Sequence, residues 1–367
     1  MHARELQIMG YDAIEFHVGN ARQAAHYYRC AFGFRLVGYA GPETGVRDRS
    51  SYVLEQGGIR LVLTSGLSPE HPVARHHLQH GDSVRDVAFR VPDAEEAFAR
   101  ATERGAVPHH EPEVLSDEHG KLTVAAIAVY GDTIHTFVQR DAYAGVHRPG
   151  YVRVEQDPLT GTAAPVGLHT VDHVVANVQR GQMDRWSAFY ERILGFSQLR
   201  HFDDEAISTE YTALMSKVLW DGDGRVKLPI NEPAAGRRRS QIDEFLEAHR
   251  GPGVQHLALA TDDIIGTVRA LRSRGVGFLS VPGTYYDEAR DRVGEVDEPW
   301  ADLAELGILV DRDEEGYLLQ IFTEPVQERP TVFYEIIQRH GARGFGVGNF
   351  RSLFEAIERA QARRGNL

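Results

Sequence analysis

The chain is 367 residues long, enough for about two domains that can each bury a core. Hydrophobic residues make up 42% and charged residues 25%, and the net charge of −13 is dispersed rather than blocked, which argues against nucleic-acid or anionic-membrane partners. One cysteine, Cys30, excludes an internal disulfide and any cysteine-based zinc or iron–sulfur centre, no apolar run approaches the ~18 residues that span a membrane, and residues 1–6 lack a signal peptide's apolar stretch, so a cytoplasmic location is expected.

From the N-terminus, a short strand at 11–15 leads to a helix whose buried stripe is Ala24, Tyr27, Tyr28, Ala31 and Phe32, closed by Gly33. Strands follow at 51–54 and 59–63. His71, His76, His77 and His80 crowd a polar stretch that reads as a solvated loop. A second strand at 84–88 precedes a helix marked by Ala94, Ala97, Phe98 and Ala101, then strands at 124–129 and 134–140. The stretch 144–167 holds Pro149, Pro165 and several glycines without periodic apolar spacing, and separates a domain 1–150 from a domain 166–367.

The third unit repeats the order. A strand at 171–175 precedes Trp186, Phe189, Tyr190, Ile193 and Leu194, at i, i+3, i+4, i+7 and i+8, with Gly195 at the C-cap. The strand at 226–230 completes it. The fourth unit has a strand at 254–258, a helix stripe of Ile264, Ile265, Val268 and Leu271, and strands at 318–322 and 333–339. Residues 350–363 form an amphipathic helix after the glycine-rich run 344–349, either a packing helix or a lid. Four β-α-β-β-β modules in two pairs are predicted, an α+β fold.

The paired halves differ where chemistry would sit. His173, His256 and Glu335 occupy positions that hold Ala13, Asp86 and Thr136 in the first half. Two imidazoles and a carboxylate form the facial set of non-haem Fe(II) oxygenases, which leaves three positions of an octahedral ion open, although the same donors accept Mn, Co or Zn. Glu335 stands in an apolar run, and a carboxylate buried there must be paired or metal-bound. One metal site per chain is expected, with the other half kept as scaffold.

With those residues in view, the second half resembles the 4-hydroxyphenylpyruvate dioxygenase family of the vicinal oxygen chelate superfamily. The segments that carry it are 228–233, 240–243, 253–258, 306–311, 319–323, 329–339 and 344–350, whereas the first half matches mainly in layout and at 134–140. The resemblance implies two open, barrel-like domains of vicinal oxygen chelate fold and one Fe(II) per subunit on His173, His256 and Glu335. It implies catalytic polar residues Ser216, Asn231, Gln241, Gln255 and Gln320, and a substrate-binding wall of Pro229, Phe322, Phe333, Phe345, Asn349 and Phe350. Tyr334 departs from the family's usual phenylalanine.

The implied reaction takes 4-hydroxyphenylpyruvate and O2 to homogentisate and CO2, in tyrosine and phenylalanine catabolism. The 2-oxo acid fills two open metal positions, so no second oxo acid is needed. The C-terminal helix is then a gate. Related alternatives are a 4-hydroxymandelate synthase and a metal-free binding protein of the same fold. A half without chemistry offers surface for subunit contacts, so a homo-oligomer, dimer or tetramer, is expected.

Overall fold

The computed structural model describes residues 6–365 apart from 158, 160–163, 203–213, 235 and 238. The first half contains β1 (Gly10–His17), α1 (Ala21–Phe32), β2 (Arg35–Ala40), β3 (Arg49–Gln56), β4 (Ile59–Gly66), α2 (Pro72–His80), β5 (Ser83–Arg90), α3 (Ala94–Glu103), β6 (Val107–Asp117), β7 (Gly120–Ala128), β8 (Ile134–Gln139) and β9 (Val152–Arg153). The second contains β10 (Leu168–Asn177), α4 (Met183–Leu194), β11 (Ser197–Phe202), β12 (Leu214–Trp220), β13 (Lys227–Pro233), α5 (Gln241–His249), β14 (Gly253–Thr261) and α6 (Ile264–Ser273). It continues through α7 (Thr284–Val293), α8 (Trp300–Leu306), β15 (Leu309–Arg312), β16 (Tyr317–Phe322), β17 (Phe333–His340) and α9 (Phe350–Arg364).

The strand orders are β6-β7-β8-β5-β1-β4-β3-β2-β9 and β11-β12-β13-β10-β14-β17-β16-β15. In every module the first strand pairs in parallel with the last: β1 with β4, β5 with β8, β10 with β13 and β14 with β17. Modules join where their first strands meet antiparallel, β1 on β5 and β10 on β14. Each sheet is thus two copies of one unit about a central strand pair, the arrangement the fourfold module pattern predicts.

Local chemistry repeats as well. Gly33 and Gly195 end α1 and α4 in the left-handed region, at φ 73° and 75°, where a side chain is disfavoured. Gln139 and Gln338 each accept from the first backbone N–H of a helix, that of Ala94 at 3.2 Å and that of Ile264 at 2.7 Å. The halves then bury one continuous apolar core, and the last strand of the second module in each half, β8 or β17, reaches the first helix of the other half. Tyr334 on β17 donates to Tyr28 on α1 at 2.9 Å, while Tyr190 on α4 donates to His135 on β8 at 2.7 Å. The hydroxyl that sets Tyr334 apart from phenylalanine is therefore satisfied inside the interface between halves.

Two sequence expectations are corrected. The stretch 144–167 is not only a connector: β9 extends the first sheet beside β2, and Val146 and Tyr151 are buried. The histidine-rich stretch is α2 rather than a loop, because His71 caps it through the Val73 N–H and Pro72 suits its first turn. His76 and His80 are buried. Their rings join a stack running from His17 through His76 and His80 to His249 of α5, with centroids 4.8, 4.6 and 4.3 Å apart.

These buried rings predict acid sensitivity. Burial lowers His17, His135 and His249 to about 4, from an ordinary value near 6.5. Between pH 6.5 and 4 the unfolded chain therefore binds protons that the folded chain refuses, so stability falls as pH drops through that window. His135, fully buried, accounts for about 3 kcal/mol by pH 4. Denaturation midpoints measured from pH 7.5 to 4.5 should decline steeply below 6.5; a flat profile would contradict neutral, buried imidazoles.

Candidate metal centre

The register of three strands builds the site. His173 on β10 lies opposite Ala258 on β14, which in turn lies opposite Glu335 on β17. Cross-strand partners share a face, and so do residues two apart, which puts His256 on the same face. The ligating atoms of His173, His256 and Glu335 all lie within 4.8 Å of one another, and all three residues are buried. Glu335 Oε2 is 3.1 Å from His173 Nε2 and 3.4 Å from His256 Nε2.

Each imidazole is held by its other nitrogen. His173 Nδ1 donates to Asp172 at 2.8 Å and His256 Nδ1 donates to Gln255 at 3.0 Å. With Nδ1 held in this way, both Nε2 atoms face Glu335, the orientation that metal ligation uses. Burial works to raise the Glu335 carboxyl, but His173 and His256 outweigh it and lower it to about 2. Glu335 in turn raises His173 above an ordinary imidazole against its burial, so a divalent ion held by this set would displace a proton from His173.

Asp172 is itself clamped. Arg339 on β17 donates to both its oxygens, at 2.7 and 2.8 Å, and Lys227 approaches at 3.3 Å. The same guanidinium donates to the carbonyls of Ala342 and Gly344, fixing the turn that brings the Phe345 ring to 5.0 Å from the His173 ring. The first half keeps the clamp without the metal set: Arg140 donates twice to Asp12. At the ligand positions, the Thr136 N–H and hydroxyl donate to the Asp86 carboxylate, and Ala13 offers no donor atom.

A cavity of about 80 Å³ opens beside the ligands. Ser216, Pro229, Asn231, Gln241, Gln255, Gln320, Phe322, Phe333, Phe345 and Phe350 all line it with His173, His256 and Glu335. Phe333 stacks on His256 at 4.7 Å and Phe322 meets its edge at 6.0 Å. The Gln320 carbonyl oxygen is buried without a partner. A Cβ on Gly346 (φ 72°) would stand 2.2 Å from that atom, which explains one glycine of the run. Asn349 departs from the sequence expectation: it does not line the cavity, because its side chain turns back to accept from Tyr285 at 2.5 Å and Arg292 at 3.3 Å.

The roof is apolar: Leu353, Phe354 and Ile357, on the apolar face expected of the C-terminal helix, close the cavity with Leu214 and Val218, which sequence reasoning missed. Also missed were Asp172 and Arg339, whose partnership across 167 positions carries no local pattern.

The fold and the site define a class. Residues 170–321 match the glyoxalase/bleomycin resistance protein/dioxygenase superfamily, and residues 3–147 match the family described as hydroxyphenylpyruvate dioxygenase, HPPD, N-terminal. A protein from Dictyostelium discoideum named 4-hydroxyphenylpyruvate dioxygenase is 48% identical, over 98% of this chain and 100% of its own. One of the same name from Yarrowia lipolytica is 46% identical, over 98% and 93%. A solved mutant of 4-hydroxymandelate synthase from Streptomyces coelicolor superposes with a TM-score of 0.86 at 37% identity, covering 97% of this chain and 99% of its own. The chain belongs to the 4-hydroxyphenylpyruvate dioxygenase family.

Proposed function

We propose that the chain is a non-haem Fe(II) dioxygenase converting 4-hydroxyphenylpyruvate and O2 to homogentisate and CO2, in tyrosine and phenylalanine catabolism. The observation that carries this reading is the buried His173/His256/Glu335 set, with both Nδ1 atoms pinned, at the wall of a cavity of phenylalanines and neutral amides. Full-length identity of 46–48% to dioxygenases, against 37% to the mandelate synthase, favours homogentisate as product. We read the chain as domains 1–150 and 166–367, with β9 from the stretch between them added to the first sheet, the second domain catalytic, and the protein as a cytoplasmic homo-oligomer.

His173, His256 and Glu335 would hold Fe(II), which when bound supplies O2 activation and the oxidising power. The rest is the work of the chain. Phe322, Phe333 and Phe345 offer ring faces and edges to an aryl group, each contact worth about 0.5–1.5 kcal/mol beyond burial. Gln255 spends its carbonyl on His256 and keeps its amide N–H groups for the cavity. Ser216, Asn231, Gln241 and Gln320 supply further neutral donors and acceptors for a phenol hydroxyl. None is ionisable, so none competes with the metal set for protons.

The volume of about 80 Å³ is well below the ~300–1,000 Å³ of small-molecule sites, so α9 must move for substrate to enter and return to exclude water. Metal-stripped protein reloaded separately with Fe(II), Mn, Co or Zn tests the reading. Homogentisate should form with Fe(II), and turnover with the others should be lower. 4-Hydroxymandelate as the product, or no dependence on iron, would overturn it.

A further inference from the structure

The first half keeps a cup where the second half keeps its cavity. Glu15 lies opposite Asp86 as Val175 lies opposite His256, and Asp86 lies opposite Ile134 as His256 lies opposite Phe333. The cup is larger, about 600 Å³, and its lining is charged where the other is apolar. Glu15 takes the place of Val175, and Arg85 that of Gln255. Loss of the metal ligands has not filled the space; it has changed what the space would accept.

The cup is lined by three arginines, Arg75, Arg85 and Arg148, and by four acids, each of which has a hydrogen-bond partner other than an arginine: Glu113 meets His110 at 2.9 Å and Asp132 meets His80 at 2.8 Å. Asp86 already receives the Thr136 N–H and hydroxyl, and Glu15 receives the Thr64 hydroxyl at 2.7 Å. Burial also raises the Asp86 carboxyl to about 7, which weakens its negative charge near neutrality. Of the arginines, Arg148 and Arg85 flank Asp86 and Glu15 in this space. Arg148, carried in by the turn after β8, donates to His147 Nε2 at 3.2 Å, and Arg85 contacts His109 Nε2 at 3.1 Å. Among the described residues neither has a carboxylate oxygen within 4.0 Å. His76, only 9% exposed, and His17 line the same wall, each with a buried Nδ1 that has no partner.

Acids held by hydroxyls, a backbone N–H and histidines, beside Arg85 and Arg148 with imidazole contacts, leave two guanidinium forks open to one anion. We propose that the first-half cup binds a small organic anion, with its carboxylate gripped by Arg148 and Arg85 and its remaining polar atoms met by His17 and His76. The planar guanidinium fork matches a carboxylate in two parallel hydrogen bonds, which a solvated lysine would not. Such a site needs no metal and stands apart from the dioxygenase chemistry.

Titration calorimetry on the iron-free full chain tests this, with malonate and inorganic phosphate as separate probes. Malonate should bind saturably at one site per chain. Arg148→Ala and the more exposed Arg85→Gln should each weaken it about tenfold or more, since each loses a charge-assisted contact. Dioxygenase turnover of both variants, after iron loading, should stay at the wild-type level. If Arg148→Ala fails to fold, Arg85→Gln decides. No saturable malonate binding up to about 10 mM, preference for phosphate over malonate, or affinity unchanged in both variants would overturn the proposal.

Discussion

Replacing Glu335 by alanine should reduce turnover to background and weaken iron binding severely, while the counterpart change Thr136→Ala should leave both near wild type. Glu335 is the only carboxylate in the ligand set, buried and lowered to about 2 by its two imidazole neighbours. Its removal leaves two neutral nitrogens and an apolar wall, a weak site for a hard divalent cation. Thr136 serves the fold instead: its hydroxyl and N–H satisfy Asp86. Thr136→Ala removes one of those bonds to a buried carboxylate and should cost about 1.5–3 kcal/mol of stability without touching chemistry. Iron titration, turnover and a denaturation midpoint on each variant separate the two roles. Equal turnover in the pair would show that the halves do not divide the work this way.

The second large effect belongs to the two clamps. Asp172→Asn should raise the iron dissociation constant 10–100-fold, the usual consequence of disturbing the partner of a ligating histidine. Asp172 accepts from His173, Arg339 and Lys227, so the amide both loosens the imidazole and strands two half-buried cations. Asp12→Asn breaks the equivalent pair with Arg140 in the first half. Each variant should lose up to about 3 kcal/mol of stability, because each leaves a half-buried arginine without its anion. Only Asp172→Asn should lose iron. If iron affinity fell equally in both, the link from Arg339 through Asp172 to His173 would be refuted.

Much of this was legible in the sequence because it is periodic. The stripe from Trp186 to Leu194, its end at Gly195, and the matching stripe at Ala24 to Phe32 follow from helix geometry alone. His173 and His256 could be paired because the duplicated strands preserve spacing, and the module register places them on one face. What escaped was non-local or compensated. Tyr334 looked neutral until Tyr28 met its hydroxyl from 306 residues away. His76 and His80 of α2 are polar by type yet buried against neighbouring rings, so composition pointed to a loop that a His71 cap and Pro72 turn into a helix. Asn349 sits within the right segment, but backbone direction after Gly346 sends its side chain to Tyr285. The insertion carrying α7 and α8 has no counterpart in the other modules, so the repeat gave no template for it.

The measurement closest to the central claim is turnover of the iron-loaded chain with 4-hydroxyphenylpyruvate under 18O2. The reading requires homogentisate with one labelled oxygen in the new carboxylate and one on the ring, and CO2 without label. Labelled 4-hydroxymandelate, or homogentisate whose ring oxygen comes from water, would contradict it.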